Sequence, residues 1–416
     1  MGTKTRKLGN IDTQLVEWQA VFTGDGSTGL TAVAGRGYFI DTTSGTVEVT
    51  LPSTVSSNVG DKISIKDFAR TFGTNAVTIA SNLFDGVHGT NTFETNGQTI
   101  SLVYSGSTKG WMLINEDTST NLGAEYIAAT GGTVTTSGNY KIHSFTGDGC
   151  FVVSSAGNCA GSNKVSYLVV AGGGSGGADV GGGGGAGGFR EGRAPAFDSY
   201  TASPLVAPDG LPVSVQTYPI SVGGGGAVPG APPQKGNAGS NSVFSTITSA
   251  GGGLGGGGPA PGTDKDGGNG GSGGGGGGWT NPTRSPCIGN PGSGNTPPVS
   301  PPQGNAGGAV DAGGSSWTGA GGGGAGGAGT AGGPSPCLAA GTKAGGAGVA
   351  SEITGSPVTY AAGGSGGNDQ STGPNTTTAA ANLGGGGGGA GNFPTPNKGN
   401  AGGKGVVIIR YKFQGS

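Results

Sequence analysis

Six consecutive glycines, Gly273 to Gly278, run directly into a tryptophan in SGGGGGGWTNPTR (Ser272 to Arg284), and comparable runs recur at Gly181 to Gly185 and Gly384 to Gly389. A run of this kind has no side chain to bury. It either stays solvated or is ordered through its own backbone groups. Ordering glycine is entropically the most expensive choice, at a general figure of about 1 to 2 kcal/mol per residue. The return is about 0.5 to 1.5 kcal/mol for each net backbone hydrogen bond, with roughly 0.5 to 1 more for a Cα–H···O contact. These sums are comparable, so the runs can order only where something else holds them in place. The suitable conformation is the polyproline II helix, which has three residues per turn and leaves every N–H and C=O free for a neighbouring chain. Lacking Cβ atoms, such helices can bond laterally into a backbone lattice that admits Ala at outer positions, as in GGGGAGGAGTAGG (Gly321 to Gly333).

With 102 Gly and 24 Pro in 416 residues, about 30 % of the chain is Gly or Pro, a level normally read as collagen-like or disordered. Collagen requires Gly at every third position, which these runs ignore. Disorder is favoured by high net charge and low hydrophobicity, whereas here the formal charge is −2 and 32 % of residues are hydrophobic. Near-neutrality also removes the basic face that nucleic-acid binding needs, so no nucleic-acid partner is expected. The N-terminal sequence MGTKTRKLGNIDTQLVEW is basic but has no apolar segment behind it, and no apolar run nears the roughly 18 residues of a membrane span. The expectation is synthesis in a cytoplasm without membrane insertion.

Matched apolar strands enclose the glycine. KVSYLVVAGGGSGG (Lys164 to Gly177) is a strand running into glycine, GKGVVIIRYKF (Gly403 to Phe413) is glycine running into a strand, and YPISVGGGG (Tyr218 to Gly226) repeats the first design. Val165, Tyr167 and Val169 are placed to pair with Val407, Ile409 and Tyr411, closing a loop of more than two hundred residues. The entropy of closure grows only logarithmically with length, so so long a loop is affordable. Pieces rich in Pro, Ser, Thr and Asn between the runs read as turns and loops, where binding on a rigid scaffold usually resides.

Ahead of this region, TVEVTLP (Thr46 to Pro52), KISIKDF (Lys62 to Phe68), AVTIA (Ala76 to Ala80), QTISLVY (Gln98 to Tyr104) and GWMLI (Gly110 to Ile114) alternate apolar and polar residues between turn signals. No stretch keeps a helical period. The predicted fold class is therefore all-β plus polyglycine II: an antiparallel β sandwich or barrel followed by a β-bracketed bundle of glycine helices. The domains follow as a leader over 1–17, a β domain over 18–122, and a glycine-rich domain over 123–416 whose bracketing strands lie at about 140–170 and 405–413.

Catalytic constellations cannot be assembled from these residues, so the chain is not expected to be an enzyme. Matches to G-x-G-x-x-G arise by chance at this glycine content and have no following P-loop Lys-Ser/Thr. The two histidines, His88 and His143, fall in different domains, and His143 reads as a packed or surface residue. DKDGGNGG (Asp264 to Gly271) lacks the later acidic ligand of a calcium loop, so no metal or cofactor is expected. Cys150, Cys159, Cys287 and Cys337 match no zinc spacing, and unpaired thiols are preferred over Cys150–Cys159 and Cys287–Cys337 staples. Trp279 and Trp317 each flank a glycine run. Each either packs as a lid over the end of the bundle or stands exposed to stack on a sugar or anchor in a receptor protein, with Arg284 and Tyr200 as further candidates.

The series YKIHSFTGDGCFVV (Tyr140 to Val153), KVSYLVVAGGGSGG, glycine runs and a terminal GVVIIRYKF resembles the glycine-rich domain of bacteriophage tail-fibre and adhesin proteins. The block from Gly35 to Asn82, with KGW at Lys109 to Trp111, resembles a β domain of phage virion proteins, notably those of marine and cyanobacterial phages. The resemblance implies a sandwich of polyglycine helices whose distal loops bind a host receptor, either a glycan or an outer-membrane protein. It further implies attachment to other virion proteins through the N-terminal region, a place on the exterior of the tail or capsid, and by analogy a homotrimer. A capsid decoration or head fibre with the same fold is the alternative. A glycan-cleaving spike would need a carboxylate pair that the glycine-rich half scarcely offers.

Overall fold

The structure, a computed structural model, describes residues 16–114, 125–158, 161–230, 234–258, 262–279, 287–310, 318–332, 343–368, 378–391 and 397–415. The chain divides into two compact units, Met1–Gly123 and Ala124–Ser416.

The first unit carries β1 (Glu17–Trp18), β2 (Phe22–Thr23), β3 (Leu30–Thr31), β4 (Arg36–Asp41) and β5 (Val47–Thr50). After these come β6 (Lys62–Asp67), β7 (Val77–Phe84), β8 (Val87–Phe93), β9 (Thr99–Tyr104) and β10 (Trp111–Leu113). They form one sheet ordered β1-β4-β6-β9-β10-β7-β5-β3, with β2 beside β4 and β8 beside β7. Here the expectation of an antiparallel sandwich or barrel is corrected. The pairs β1–β4, β2–β4, β4–β6, β3–β5, β5–β7 and β7–β10 are parallel, and among the described residues no sheet closes into a barrel. Alternation in a sequence fixes which side chains face inward but not strand direction. Successive strands β4, β5, β6 and β7 go alternately to one arm of the sheet and the other, so each parallel crossover is itself a strand rather than a helix. Ile40, Ile63 and Ile65 of one arm pack with Val49, Val77 and Ile79 of the other in one core.

The second unit begins with β11 (Ile127–Thr130), β12 (Thr133–Ser137), β13 (Tyr140–Phe145), β14 (Gly149–Ala156), β15 (Lys164–Val170) and β16 (Phe189–Gly192). It continues through β17 (Val206–Ala207), β18 (Leu211–Pro212), β19 (Thr217–Ser221), β20 (Ser242–Phe244) and β21 (Ile247–Ser249). The short pairs β22 (Gly278–Trp279) with β23 (Cys287–Ile288) and β24 (Val349–Ser351) with β25 (Val358–Tyr360) precede the last strand, β26 (Val406–Lys412). Helix is limited to one 3-10 turn at Gly262–Lys265 among the described residues. One sheet runs β12-β13-β26-β15-β16-β17 with β18 on β15, and a second runs β11-β14-β19-β20-β21.

β15 and β26 pair antiparallel, with Tyr167 opposite Ile409 and Val169 opposite Val407, as the two apolar patterns predict. Both faces of this pair are buried. Val165, Tyr167, Val169, Val407, Ile409 and Tyr411 join Phe151 and Phe244 in one cluster, while Leu168, Val170, Val406 and Ile408 join Phe189 and Tyr360 in another. Burial on both sides explains why these strands read as unbroken apolar runs.

Between the two strands the glycine runs bond laterally through their backbones with a period of three. In the run after Val180, the N–H groups of Gly181, Gly184 and Gly187 donate to Ala390, Gly387 and Gly384. Those of Gly182, Gly185 and Gly188 donate to Gly256, Gly253 and Ala250, and those of Gly183 and Ala186 to Ala320 and Gly323. One run thus serves three neighbours in rotation. The approach is close enough that a Cβ on Gly183 would lie 2.0 Å from the carbonyl oxygen of Gly364.

Candidate functional site

Strands β15 and β26 fix one end of the glycine runs; the other end is marked by the turn at Asp179 and Val180. Around it the described residues flanking several inter-run segments converge. Ala178 N–H donates to Gln234 O, Asp179 N–H to Asn397 O and Gly181 N–H to Ala390 O, while Ala178 O accepts from Gly258 and Val180 O from Gly278. Gly367 N–H donates to Gly181 O and Gly319 N–H to Gly367 O. Further out, Val310 N–H donates to Gly289 O and Val310 forms an isolated bridge with Gly332. Residues flanking 231–233, 259–261, 280–286, 311–317, 333–342 and 392–396, together with Asn368 ahead of 369–377, are therefore gathered at one end of the unit.

Among the described residues, charges of both signs meet at this end. Lys235 Nζ lies 3.1 Å from Asp264 Oδ1, a half-exposed pair of the kind that contributes little to stability. Gln234, Lys235, Gly236, Asn237 and Asp264 line a polar cavity of about 290 Å³. Asp266 Oδ1 accepts from the backbone and side-chain N–H groups of Asn290 at 2.8 and 3.1 Å, bracing two adjacent runs. Asp179 is only 5 % exposed, and burial pushes its carboxyl pKa above the ordinary value. Sequence reasoning missed Asp179, although it is the one charged residue between Ala171 and Gly188 and could have been found on that ground.

Of the residues singled out from the sequence, Trp279 is placed at this end by its backbone. It lies opposite Cys287 in the β22–β23 pair, and the N–H of its neighbour Gly278 donates to Val180 O at 3.1 Å. Trp317 and Arg284 lie outside the described residues. Tyr200 is corrected as a surface contact. It is 7 % exposed, its hydroxyl donates to Glu191 Oε1 at 3.0 Å, and its ring stands under the Arg410 guanidinium. Burial and the Glu191 carboxylate hold its phenol far above the usual range.

Among the described residues no group of three or more His, Cys, Asp or Glu could hold a metal ion. His143 sits instead in the core near the sheet. Its Nδ1 donates to Gly131 O at 2.7 Å, which leaves Nε2 to accept from the Tyr411 hydroxyl at 3.1 Å. Burial lowers the pKa of the ring and keeps it neutral. Cys150 is an exposed free thiol; Cys159 and Cys337, one partner in each of the two staples weighed from the sequence, lie outside the described residues. No helix among the described residues is long and apolar enough to cross a membrane.

The model of a family described as a glycine-rich domain matches residues 146–412, from the loop before β14 to the end of β26. A comparison with the curated proteins finds no match.

Proposed function

This chain belongs to the glycine-rich domain family, and on that premise we propose that it is a bacteriophage virion protein, a tail-fibre or adhesin subunit that presents loops to a host receptor. The bundle between β15 and β26 is read as stacked polyglycine II helices. Support comes from the three-residue rotation of donors along Gly181 to Gly188, the period of a polyproline II helix. Further support comes from φ: among the described run glycines from Gly172 to Gly188, none takes a positive value.

The observation that carries the functional reading is the convergence on one end. Runs anchored at the sheet return repeatedly to residues around Asp179, so described residues that flank the joining segments are gathered into one surface at that end. A surface of that kind suits recognition, because loops can vary in sequence while the backbone lattice beneath them does not. In this reading the protein is made in the host cytoplasm, carried on the virion exterior and attached through its first unit to other virion proteins. Its work is binding rather than catalysis, the receptor being a glycan or an outer-membrane protein. Trp279, Trp317 and Arg284 are the proposed contacts.

The test is to exchange residues 280–286, together with Trp279, for the corresponding segment of a phage with a different host. Adsorption should change while particles still assemble. Unchanged adsorption would remove the receptor role, and gold labelling confined to the capsid would move the protein to a head-decoration role.

A further inference from the structure

The first unit carries an open cavity of about 380 Å³ on the outer face of its sheet. Strands β5 and β7 supply the floor. Val47 and Val49 point into the core, so Thr46 and Glu48 face outward, and Glu48 stands opposite Thr78 of β7 in the parallel register. The wall is the loop Gly26–Gly29. Asp25 holds that loop in one shape, its Oδ1 accepting from the N–H groups of Ser27 and Thr28 at 2.8 and 2.6 Å and its Oδ2 from the Thr28 hydroxyl at 2.8 Å. The loop is also seated closely on the sheet, since a Cβ on Gly45 would lie 2.3 Å from the backbone nitrogen of Gly26. A carboxylate on an open sheet face is ordinary. This one shares a walled cavity with two hydroxyls, and among the described residues no hydrogen bond or ion pair reaches the side chains of Glu48, Thr46 or Thr78.

The ligand chemistry follows from what these groups offer. No Lys or Arg lines the cavity, so Glu48 leaves it with an uncompensated negative charge. Water can fill the space and bond each group, but it brings no countercharge. An anion would be repelled, and calcium, which takes six to eight oxygens, finds too few here. A primary ammonium has three donors, matching one carboxylate and two hydroxyl oxygens, and its bond to the carboxylate is charge-assisted. The carrier of that ammonium is set by size and lining. The volume falls in the range of about 300 to 1,000 Å³ typical of clefts that enclose a small molecule, and the lining is hydroxyl and glycine backbone rather than apolar. A bare aliphatic stem leaves most of such a space to water, whereas a sugar ring fills it and meets hydroxyl with hydroxyl. We propose that this groove is a subsite for an amino sugar, the protonated amine resting on Glu48 and the ring hydroxyls on Thr46 and Thr78. The site lies on the first unit and does not depend on the receptor reading of the second.

The experiment is a ligand-observed NMR titration of the full chain at neutral pH with methyl glucosaminide, methyl N-acetylglucosaminide, methyl glucoside and butylamine. The glucosaminide is expected to bind. The other three should bind more weakly by about tenfold or more, the scale of one charge-assisted hydrogen bond. Glu48→Gln and Thr78→Val, which keep shape on an outward-facing strand position and are checked for native circular dichroism, should each weaken the glucosaminide. No binding of the glucosaminide, or equal binding by the native chain and Glu48→Gln, would overturn the subsite. Equal binding of butylamine would overturn the amino sugar and leave a lysine side chain as the occupant, and equal binding of the glucoside would remove the role given to the charge. The comparison among the four ligands uses the native chain alone, so it decides even where a variant does not fold.

Discussion

The guanidinium Nε of Arg410 lies 3.0 Å from Oδ1 of Asp198, with both side chains almost wholly withdrawn from water. This contact ties the last strand, β26, to the excursion that follows β16, across more than two hundred residues of chain. Its surroundings are complete. Asp198 Oδ2 accepts from Ser166 Oγ at 2.9 Å, Arg410 Nη1 donates to Ile353 O at 3.3 Å, and the guanidinium lies 4.3 Å from the centre of the Tyr140 ring.

A satisfied buried pair adds little over apolar residues of the same size, yet removing one partner strands a charge in the core. Asp198→Ala is therefore expected to lower the unfolding free energy by about 3 to 5 kcal/mol. Urea denaturation of the full chain measures it. A loss below about 1 kcal/mol, the scale of an exposed pair, would show that solvent reaches Arg410.

Glycine positions within the runs should differ sharply in tolerance. A Cβ at Gly183 would lie 2.0 Å from Gly364 O, a backbone atom that cannot rotate away, whereas a Cβ at Gly224 meets nothing within 4 Å. Gly183→Ala is expected to destabilise by about 1 to 3 kcal/mol or more. Gly224→Ala should be neutral or stabilise by up to about 1 kcal/mol, through lost freedom in the unfolded chain. Thermal unfolding of the two variants compares them, and equal shifts would contradict close backbone approach as the reason for glycine.

What was legible in the sequence was local. The β15–β26 pairing could be read because Val165, Tyr167 and Val169 alternate against Val407, Ile409 and Tyr411, and alternation fixes the buried face. Strand direction in the first unit could not, because β4 lies parallel to β6 only once β5 has crossed to the other arm. At the candidate site, Trp279 announced itself as an aromatic against glycine, whereas the isolation of Asp179 depends on Gln234, Gly258 and Asn397, which arrive from distant runs. Tyr200 misled for the same reason. Its neighbourhood, AFDSYTASP, reads as an exposed loop, and the groups that bury it, Glu191 and Arg410, come from β16 and β26.

His143 should make stability fall on acidification. Burial holds its pKa below the ordinary 6.5, so the folded state binds the proton less readily than the unfolded one. The contribution is complete above about 6.5 and is lost as pH drops towards the lowered folded value. Protonation would also place a donor at Nε2 facing the Tyr411 hydroxyl, which itself accepts from Ala129 N–H at 3.2 Å. Denaturant titrations across this window should show the decline in the native chain and a shallower one in His143→Gln; parallel profiles would assign the decline to other groups.

Asp179 should act with the opposite sign. Burial raises its pKa above 3.8, so the folded state holds the proton more tightly than the unfolded chain, and stability falls as pH rises through that window. Asp179→Asn removes the charge at nearly constant volume. It is expected to raise unfolding free energy at neutral pH by roughly 1 to 2 kcal/mol, less than the full cost of an unmatched charge because the new amide also lacks partners. Near the ordinary carboxyl pKa the two proteins should converge. This separates an aspartate that braces the turn from one whose buried charge strains it: in the first case substitution lowers stability, in the second it raises it. Differential scanning calorimetry across the acid range distinguishes them, and destabilisation by Asp179→Asn at neutral pH would favour the structural role.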